Sequence, residues 1–499
     1  MSSATREITA AADTSTKNPP GAPDPRRWLI LAVVALAQLM VVLDATIVNI
    51  ALPSAQRALG FSNVDRQWVV TAYALAFGSL LLLGGRLSDV LGRKTTFLMG
   101  LGGFAAASAA GGAATSFGML VAARACQGAF GALLAPSALA LLTVTFSGSR
   151  DRGKAFGVFG AIAGAGGAVG LLLGGLLTEY LTWRWCLYVN LIFAAAAGAG
   201  AAMLLRREPA RRRANLDLPG FLAEAAGMFC VVYGFSNAAS DGWHAPATWG
   251  FLAAGGAALA GFAWWETRAA QPLLPLRVVL DRNRAAAYLS VLIAGGGMFG
   301  IFLFLTYYLQ ETLGYSPVST GVAFLPMVVC IMLAANLSNI VLLPRIGPRF
   351  LVAAGMLAAA CGLAWLTRIG VHSSYLADVL PPLLVSAAGI GLIMSPSMNT
   401  GTSGVATSDA GVASALVNTG QQVGGSIGTS LLNTMAASAT AAYVTTRLAS
   451  GGPAAGRQAA ALAALAQVHG YTTAFWWAAG IFACGAVVAG LLFRRGPAR

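Results

Sequence analysis

The chain of 499 residues is 57% hydrophobic and only 10% charged, whereas soluble domains carry about a quarter charged residues. That balance, with a mean hydropathy of +0.72, excludes an ordinary water-soluble fold and implies an integral membrane protein. The formal net charge of +14 does not point to a nucleic-acid partner, because the basic residues fall between apolar stretches and form no contiguous patch.

Residues 1–27 are polar and proline-rich and lack the apolar core of a signal peptide, so a disordered cytoplasmic tail is expected there. From Trp28 onward, apolar segments long enough to cross a bilayer as helices recur to the end of the chain. Barrel strands would instead be short and alternating. The expected spans are 28–52, 68–88, 96–114, 118–142, 153–177, 186–205, 218–238, 248–265, 285–309, 319–342, 350–367, 377–399, 412–436 and 471–493. Fourteen spans return both termini to one side. Placing the N-terminus in the cytoplasm gathers Arg26, Arg27, Arg93, Lys94, Arg150, Arg152, Lys154, Arg206, Arg207 and Arg211 on the inner side. It leaves mainly Arg57, Arg66, Arg184, Arg368, Arg447 and Arg457 outside, as the positive-inside rule requires. The expectation is a multi-pass protein of the cell (inner or plasma) membrane with both termini cytoplasmic. The Ala- and Gly-rich segment from about Ala437 to Gly470 is read as flexible or partly helical.

Asp44 lies inside the first span, eight residues from its outer end, and cannot reach water at either surface. An ionised carboxylate at that depth is costly unless it pairs, faces a wet cavity or takes up a proton. It is therefore the leading candidate for a proton carrier, with a structural hydrogen-bonding role as the bland alternative. Arg124, about 10 Å into the fourth span, stands level with it across antiparallel helices. Whether the two face each other is not legible from spacing, and a donor role to backbone carbonyls is the competing reading of Arg124. Glu224, about 9 Å into the seventh span, is open to three readings: attraction of cationic substrates, a second proton site, or a snorkelling acid. Met40, Asn49, Gln127, Phe304, Tyr307, Tyr308, Asn418 and Gln421 are, with Glu224, the candidates for lining a mostly apolar substrate cavity. Aromatic and Met side chains in membrane helices are more often core, so these stand as expectations only.

Cys126, Cys186, Cys230, Cys330, Cys361 and Cys484 lie in or at the rim of apolar runs without CxxC spacing and read as small core hydrophobes. His244, His372 and His469 fall in predicted loops, so neither a metal site nor histidine catalysis is expected. With no Walker-type run, ATP is not the expected driver. No cofactor is expected beyond a proton gradient as energy source, and no enzymatic nucleophile–base pair is visible in the spans.

A partial internal repeat is present. The turn after the second span, Gly85-Arg86-Leu87-Ser88-Asp89-Val90-Leu91-Gly92-Arg93-Lys94, is echoed after the tenth by Leu343-Pro344-Arg345-Ile346-Gly347-Pro348-Arg349, with Gly92 matching Gly347 and Lys94 matching Arg349. The implied layout is a first six-helix bundle over 28–205, a linker over 206–276 with two extra helices, and a second six-helix bundle over 277–499. In the first of these turns, Asp89 can accept from Arg93 or cap a helix, giving a clasp on the cytoplasmic side; the plain alternative is a solvated turn. Gly164, Gly170, Gly174 and Gly175 belong to a glycine-rich fifth span suited to close helix packing.

At this point the sequence resembles the major facilitator superfamily, and within it the fourteen-helix drug:proton antiporter family. The resemblance rests on Gly85-x-Leu87-x-Asp89-x-x-Gly92-Arg93-Lys94, on the first-span stretch Leu43 to Pro53, and on Arg124-x-x-Gln127-Gly128. It is extended by Trp183-Arg184-Trp185 with Asn190, Asp217 to Gly220, Pro272 to Leu276, Tyr308-Leu309-Gln310, and Asn418-x-x-Gln421-Gln422-Val423-Gly424-Gly425. It implies an all-α major facilitator fold and proton-coupled export of lipophilic drugs, antibiotics or toxic compounds by a monomeric transport unit. The chain departs from the family pattern at Leu171, where the antiporter motif has proline after the glycine aligned with Gly170. A proton symporter or facilitator on the same scaffold, and a non-transporting sensor or membrane enzyme, are the alternatives.

Overall fold

The computed structural model describes residues 26–146, 151–205, 217–269, 272–405, 410–451 and 457–494. These residues form helices α1 (Arg27–Leu59), α2 (Gln67–Leu91), α3 (Arg93–Gly112), α4 (Phe117–Thr145), α5 (Arg152–Tyr180) and α6 (Trp185–Leu204). They are followed by α7 (Leu218–Asp241), α8 (Pro246–Glu266), the four-residue α9 (Leu276–Val279), α10 (Arg282–Tyr307) and α11 (Pro317–Leu337). The chain closes with α12 (Leu343–Leu366), α13 (Leu380–Thr402), α14 (Ala410–Gly451) and α15 (Arg457–Leu492). Nine described stretches are long and apolar enough to cross a membrane. That measure is lower than the fourteen expected, partly because it runs α11 and α12 together as one stretch, Pro317–Leu366, through a π-helical turn at Ser338–Leu342.

Side-chain chemistry explains where these helices start and stop. Ser116, Asp217, Asp281 and Ser316 cap α4, α7, α10 and α11 by accepting from backbone N–H groups of the first turn. Gly60 ends α1 in the left-handed conformation, with φ of 70°. Gly92 (φ 87°, ψ 144°) separates α2 from α3, and Gly347 (φ 73°, ψ 168°) breaks α12 at the matching point of the second half. Both positions need a backbone that a side chain would strain, so the sequence echo reflects one shared turn.

Helices α1–α6 pack on one another through α1 with α5 and α6, α2 with α4, and α3 with α4 and α6. Helices α10–α15 repeat that pattern in order, through α10 with α14 and α15, α11 with α13, and α12 with α13 and α15. The two sets meet along α2 with α14 and α5 with α11, again a symmetric pair of contacts, while the α7–α8 hairpin lies against α14 and α2. The described ends of the chain, the start of α1 and the end of α15, lie at one end of the bundles, where Arg27 pairs with Asp151 at 2.7 Å and Arg282 donates from Nε to the Leu492 carbonyl at 2.7 Å.

Two local expectations are corrected and one is narrowed. The segment 437–470 follows its partly helical reading where it is described: α14 and α15 run on as an antiparallel pair, with Tyr443 and His469 rings 5.0 Å apart and Gly470 against Thr440. Alanine's high helix propensity keeps both helices going past the apolar stretch. His469 is accordingly helical, not in a loop. Among the cysteines, all free, only Cys186 is buried, and Cys126, Cys361 and Cys484 point outward from their helices, where an apolar surface is matched by lipid.

Candidate functional site

Asp44, on α1, is fully buried, and the tertiary fold closes a hydrogen-bonded network around it. Arg124 of α4, itself 2% exposed, donates from Nη1 to Asp44 Oδ2 at 2.6 Å. The other carboxylate oxygen accepts from Asn190 Nδ2 of α6 at 2.7 Å and from Gln127 Nε2 of α4 at 3.1 Å. Ser108 of α3 ties the amides together, accepting from Gln127 at 2.7 Å and Asn190 at 3.4 Å. Arg124 also donates from Nε to the Val69 carbonyl at 3.1 Å and from Nη1 to Gln127 at 2.8 Å, and its guanidinium lies 4.4 Å from the centre of the Tyr73 ring. Five of the six helices of the first bundle thus contribute to the network around one carboxylate, α1, α4 and α6 directly and α2 and α3 through its partners. Arg124 pairs with Asp44 and donates to a backbone carbonyl at the same time.

A buried ion pair of this kind is weak evidence for stability, because desolvating two charges consumes most of their attraction. It is a sensitive device, because removing either partner leaves the other buried and unpaired. Tyr73 Oη and Asn190 Oδ1 are buried without a partner and border the network. On the side away from the termini, apolar residues including Leu52, Leu120 and Trp183 seal Arg124 off, leaving a void of only about 10 Å³.

Beyond that seal, at the end opposite the termini, the two bundles are stitched together. Tyr307 donates to Gln56 Oε1 at 2.5 Å, Gln310 Nε2 to the Ile50 carbonyl at 3.1 Å, and Asn433 Nδ2 to the Val64 carbonyl at 3.2 Å. Val318 N donates to Glu179 at 2.9 Å. At the end bearing the termini, the loop-motif cation closes on its own bundle: Lys94 Nζ donates to the Ala202 and Leu205 carbonyls at 2.8 and 2.6 Å, capping α6. Arg86 Nη2 donates to the Pro272 carbonyl of the linker at 2.7 Å. Gly85 faces Pro136 of α4 at ordinary contact distance. Arg93 opens α3, while the side chain of Asp89 lies outside the described residues.

The fifth-helix glycines lie at helix crossings. A Cβ on Gly170 would stand 2.0 Å from Thr46 Oγ1 and one on Gly174 3.0 Å from Ile47 of α1. One on Gly175 would stand 2.7 Å from the Pro317 carbonyl of α11. The surroundings of Gly164 lie outside the described residues. Leu171 sits in an unbroken α5, and its carbonyl packs where a Cβ on Gly321 of α11 would come within 2.5 Å.

The expected cavity-lining residues are distributed rather than gathered. Gln127 belongs to the Asp44 network, and Met40 is buried on α1. Asn49 and Asn418 donate to carbonyls four residues back in their own helices. Phe304 and Tyr307 surround Arg66. Tyr308 donates within the second bundle to the Gly370 carbonyl at 2.7 Å. Gln421 is half-buried, its carbonyl against Gly295 of α10. Glu224 is buried on α7, on the hairpin that also buries Glu266 of α8. Sequence reasoning did not single out Ser108, Tyr73 or Arg66. For Ser108 and Tyr73 a polar group in an otherwise apolar helix was the available signal; Arg66, in the turn before α2, offered none.

The chain is 51% identical over 472 residues to the puromycin resistance protein of Streptomyces alboniger, covering 94% of this chain and 92% of that one. It is 40% identical to the cephamycin export protein of Amycolatopsis lactamdurans, covering 82% and 85%. In fold it matches an auto-inhibited POT family peptide transporter with a TM-score of 0.67 at 16% identity, over 95% of this chain and 98% of that one. The profile of the Major Facilitator Superfamily matches residues 34–429, and on these grounds the chain belongs to the Major Facilitator Superfamily.

Proposed function

We propose that this multi-pass membrane transporter, not an enzyme, exports lipophilic small molecules from the cytoplasm in exchange for protons. The observation that carries the reading is Asp44: a fully buried carboxylate whose counter-ion and amide donors all come from one bundle. The positive-inside rule puts the end bearing the termini in the cytoplasm, so the stitched end is outer and the conformation described here is closed to the outside. The proton gradient is the energy source, no cofactor takes part, and one chain is the transport unit.

In this reading, ionised Asp44 holds Arg124, Gln127 and Asn190 together. When the outer side opens, a proton neutralises Asp44 and frees Arg124 to rely on Val69 and Tyr73. The rearranged first bundle then rocks against the second about the α2–α14 and α5–α11 contacts. Proton loss to the cytoplasm restores the pair as the next substrate binds. The names of the puromycin and cephamycin relatives support antibiotics as the substrate class.

Everted membrane vesicles test this. Acidifying the lumen is expected to drive substrate inward, and adding substrate is expected to discharge the pH gradient. Leu171, which leaves α5 unbroken where the antiporter motif has proline, favours a symporter as the second reading. A symporter reverses the sign of the coupling in the same assay, and a facilitator moves substrate without touching the gradient.

A further inference from the structure

We infer that Phe304, Tyr307 and Tyr471 form a binding site for organic cations when the outer side is open, and that Arg66 is its resident occupant when the outer side is closed. The inference deepens the transport reading and rests on its alternation between an outward-open and an outward-closed state.

Arg66 stands in the turn before α2 and is only 3% exposed. Its guanidinium carbon lies 4.1 Å from the Tyr307 ring centre, 5.7 Å from that of Phe304 and 5.8 Å from that of Tyr471. Its Nε donates to Asn433 Oδ1 at a long 3.4 Å. Among the described residues it makes no salt bridge to a carboxylate. Tyr307 and Tyr471 also hydrogen-bond it through their side chains, so the charge is held by ring faces and phenol oxygens, and the ring quadrupoles attract any cation of suitable size.

The division between bundles gives this box its function. All three rings belong to α10 and α15, whereas Arg66 belongs to the first bundle. The rings also pack within their own bundle: Phe304 lies 6.1 Å from Tyr471 and 6.3 Å from Phe475, centre to centre. Separation of the bundles at the outer end withdraws Arg66 and leaves the box intact, facing the outer cavity. A protonated amine, an amidinium or a quaternary ammonium can then take the vacated place, whereas an anion has nothing to gain from the ring faces. The returning Arg66 displaces that cation as the gate closes, so an exported cation makes its last contact here and is kept from following the chain back inward.

The test uses the purified full-length protein with ethidium, a fluorescent aromatic cation, and Nile red, a neutral lipophilic probe. Arg66→Ala is expected to bind ethidium about tenfold more tightly than wild type, the size of one desolvated cation–π contact, with Nile red unchanged within about twofold. Adding Tyr471→Leu to Arg66→Ala is expected to return ethidium to wild-type affinity. No tightening in Arg66→Ala overturns the proposal, as does a tightening that survives Tyr471→Leu or extends equally to Nile red. If Arg66→Ala does not fold, Arg66→Gln removes the charge while keeping a donor for Asn433, and the same outcomes decide. Discharge of the pH gradient by wild-type vesicles is a separate readout, so failure of proton exchange and failure of the cation site are told apart.

Discussion

The two bundles pack their helices in the same pairwise order but bury different chemistry. The first half buries Asp44, Arg66 and Arg124, and the hairpin between the halves buries Glu224 and Glu266. Among the described residues of α10–α15 no charged side chain is buried; serines, threonines and Asn433 are the buried polar groups beside the tyrosines. A symmetric scaffold therefore carries asymmetric contents, in which one half buries the charges and the other offers ring faces and hydroxyls. The helix crossings can be shared because they depend on small residues and backbone shape, which are indifferent to what a few core positions carry.

The contrast can be broken most directly at Asp44. Asp44→Asn is expected to abolish proton-coupled export, lowering the initial rate of gradient discharge in everted vesicles by about a hundredfold or more, the scale expected when a required proton-transfer group is lost. Uphill export that persists across a range of pH would show that the first bundle is not the charge-switching half. Arg124→Ala comes next, since it leaves Asp44 buried without its counter-ion, and a loss of about 3–5 kcal/mol in unfolding free energy is expected. A double variant, Asp44→Asn with Arg124→Gln, removes both charges and is expected to recover much of that loss in the same melting or denaturant assay.

Packing, by contrast, should be overfilled in both halves. A Cβ on Gly170 meets Thr46 Oγ1 at 2.0 Å, and one on Gly424 of α14 meets the Leu292 carbonyl of α10, so α5 crosses α1 and α14 crosses α10 at a glycine. Gly170→Ala and Gly424→Ala are each expected to cost about 1–3 kcal/mol by overpacking, Gly424→Ala the more because backbone cannot turn aside as the Thr46 hydroxyl can, with Thr46→Ala relieving only the first. A penalty at one position alone would show that the repeat is looser than its helix pairing suggests. The smallest effect is expected at Asn190→Ala, about 1–2 kcal/mol for one hydrogen bond to a charged group, read as a modest drop in melting temperature.

Much of the scaffold was legible beforehand because oil imposes its own grammar on a sequence. Apolar runs marked the helices, and the Gly92 and Gly347 echo marked the repeat, since both turns require positive φ. Asp44 and Arg124 stood out because a charge in such a run is expensive. The cavity residues were less legible: Tyr308 has the same composition signal as Tyr307, yet one donates within its bundle to Gly370 and the other across the bundles to Gln56. The reach of α14 and α15 beyond their apolar stretches was left open between flexible and partly helical, because hydropathy stops at the membrane surface while alanine-rich helix does not.

By itself the chain determined that it crosses a membrane many times, that it is doubled, and that one acid is stranded in its first span. Depth and periodicity are local properties, fixed by residue type and a rise of about 1.5 Å per residue. Which side chains touch depends on the rotation of each helix about its axis and on partners hundreds of residues away. Only the packed bundles decided that Asp44 meets Arg124, Gln127 and Asn190 together, and that a lone arginine from one half rests among the rings of the other.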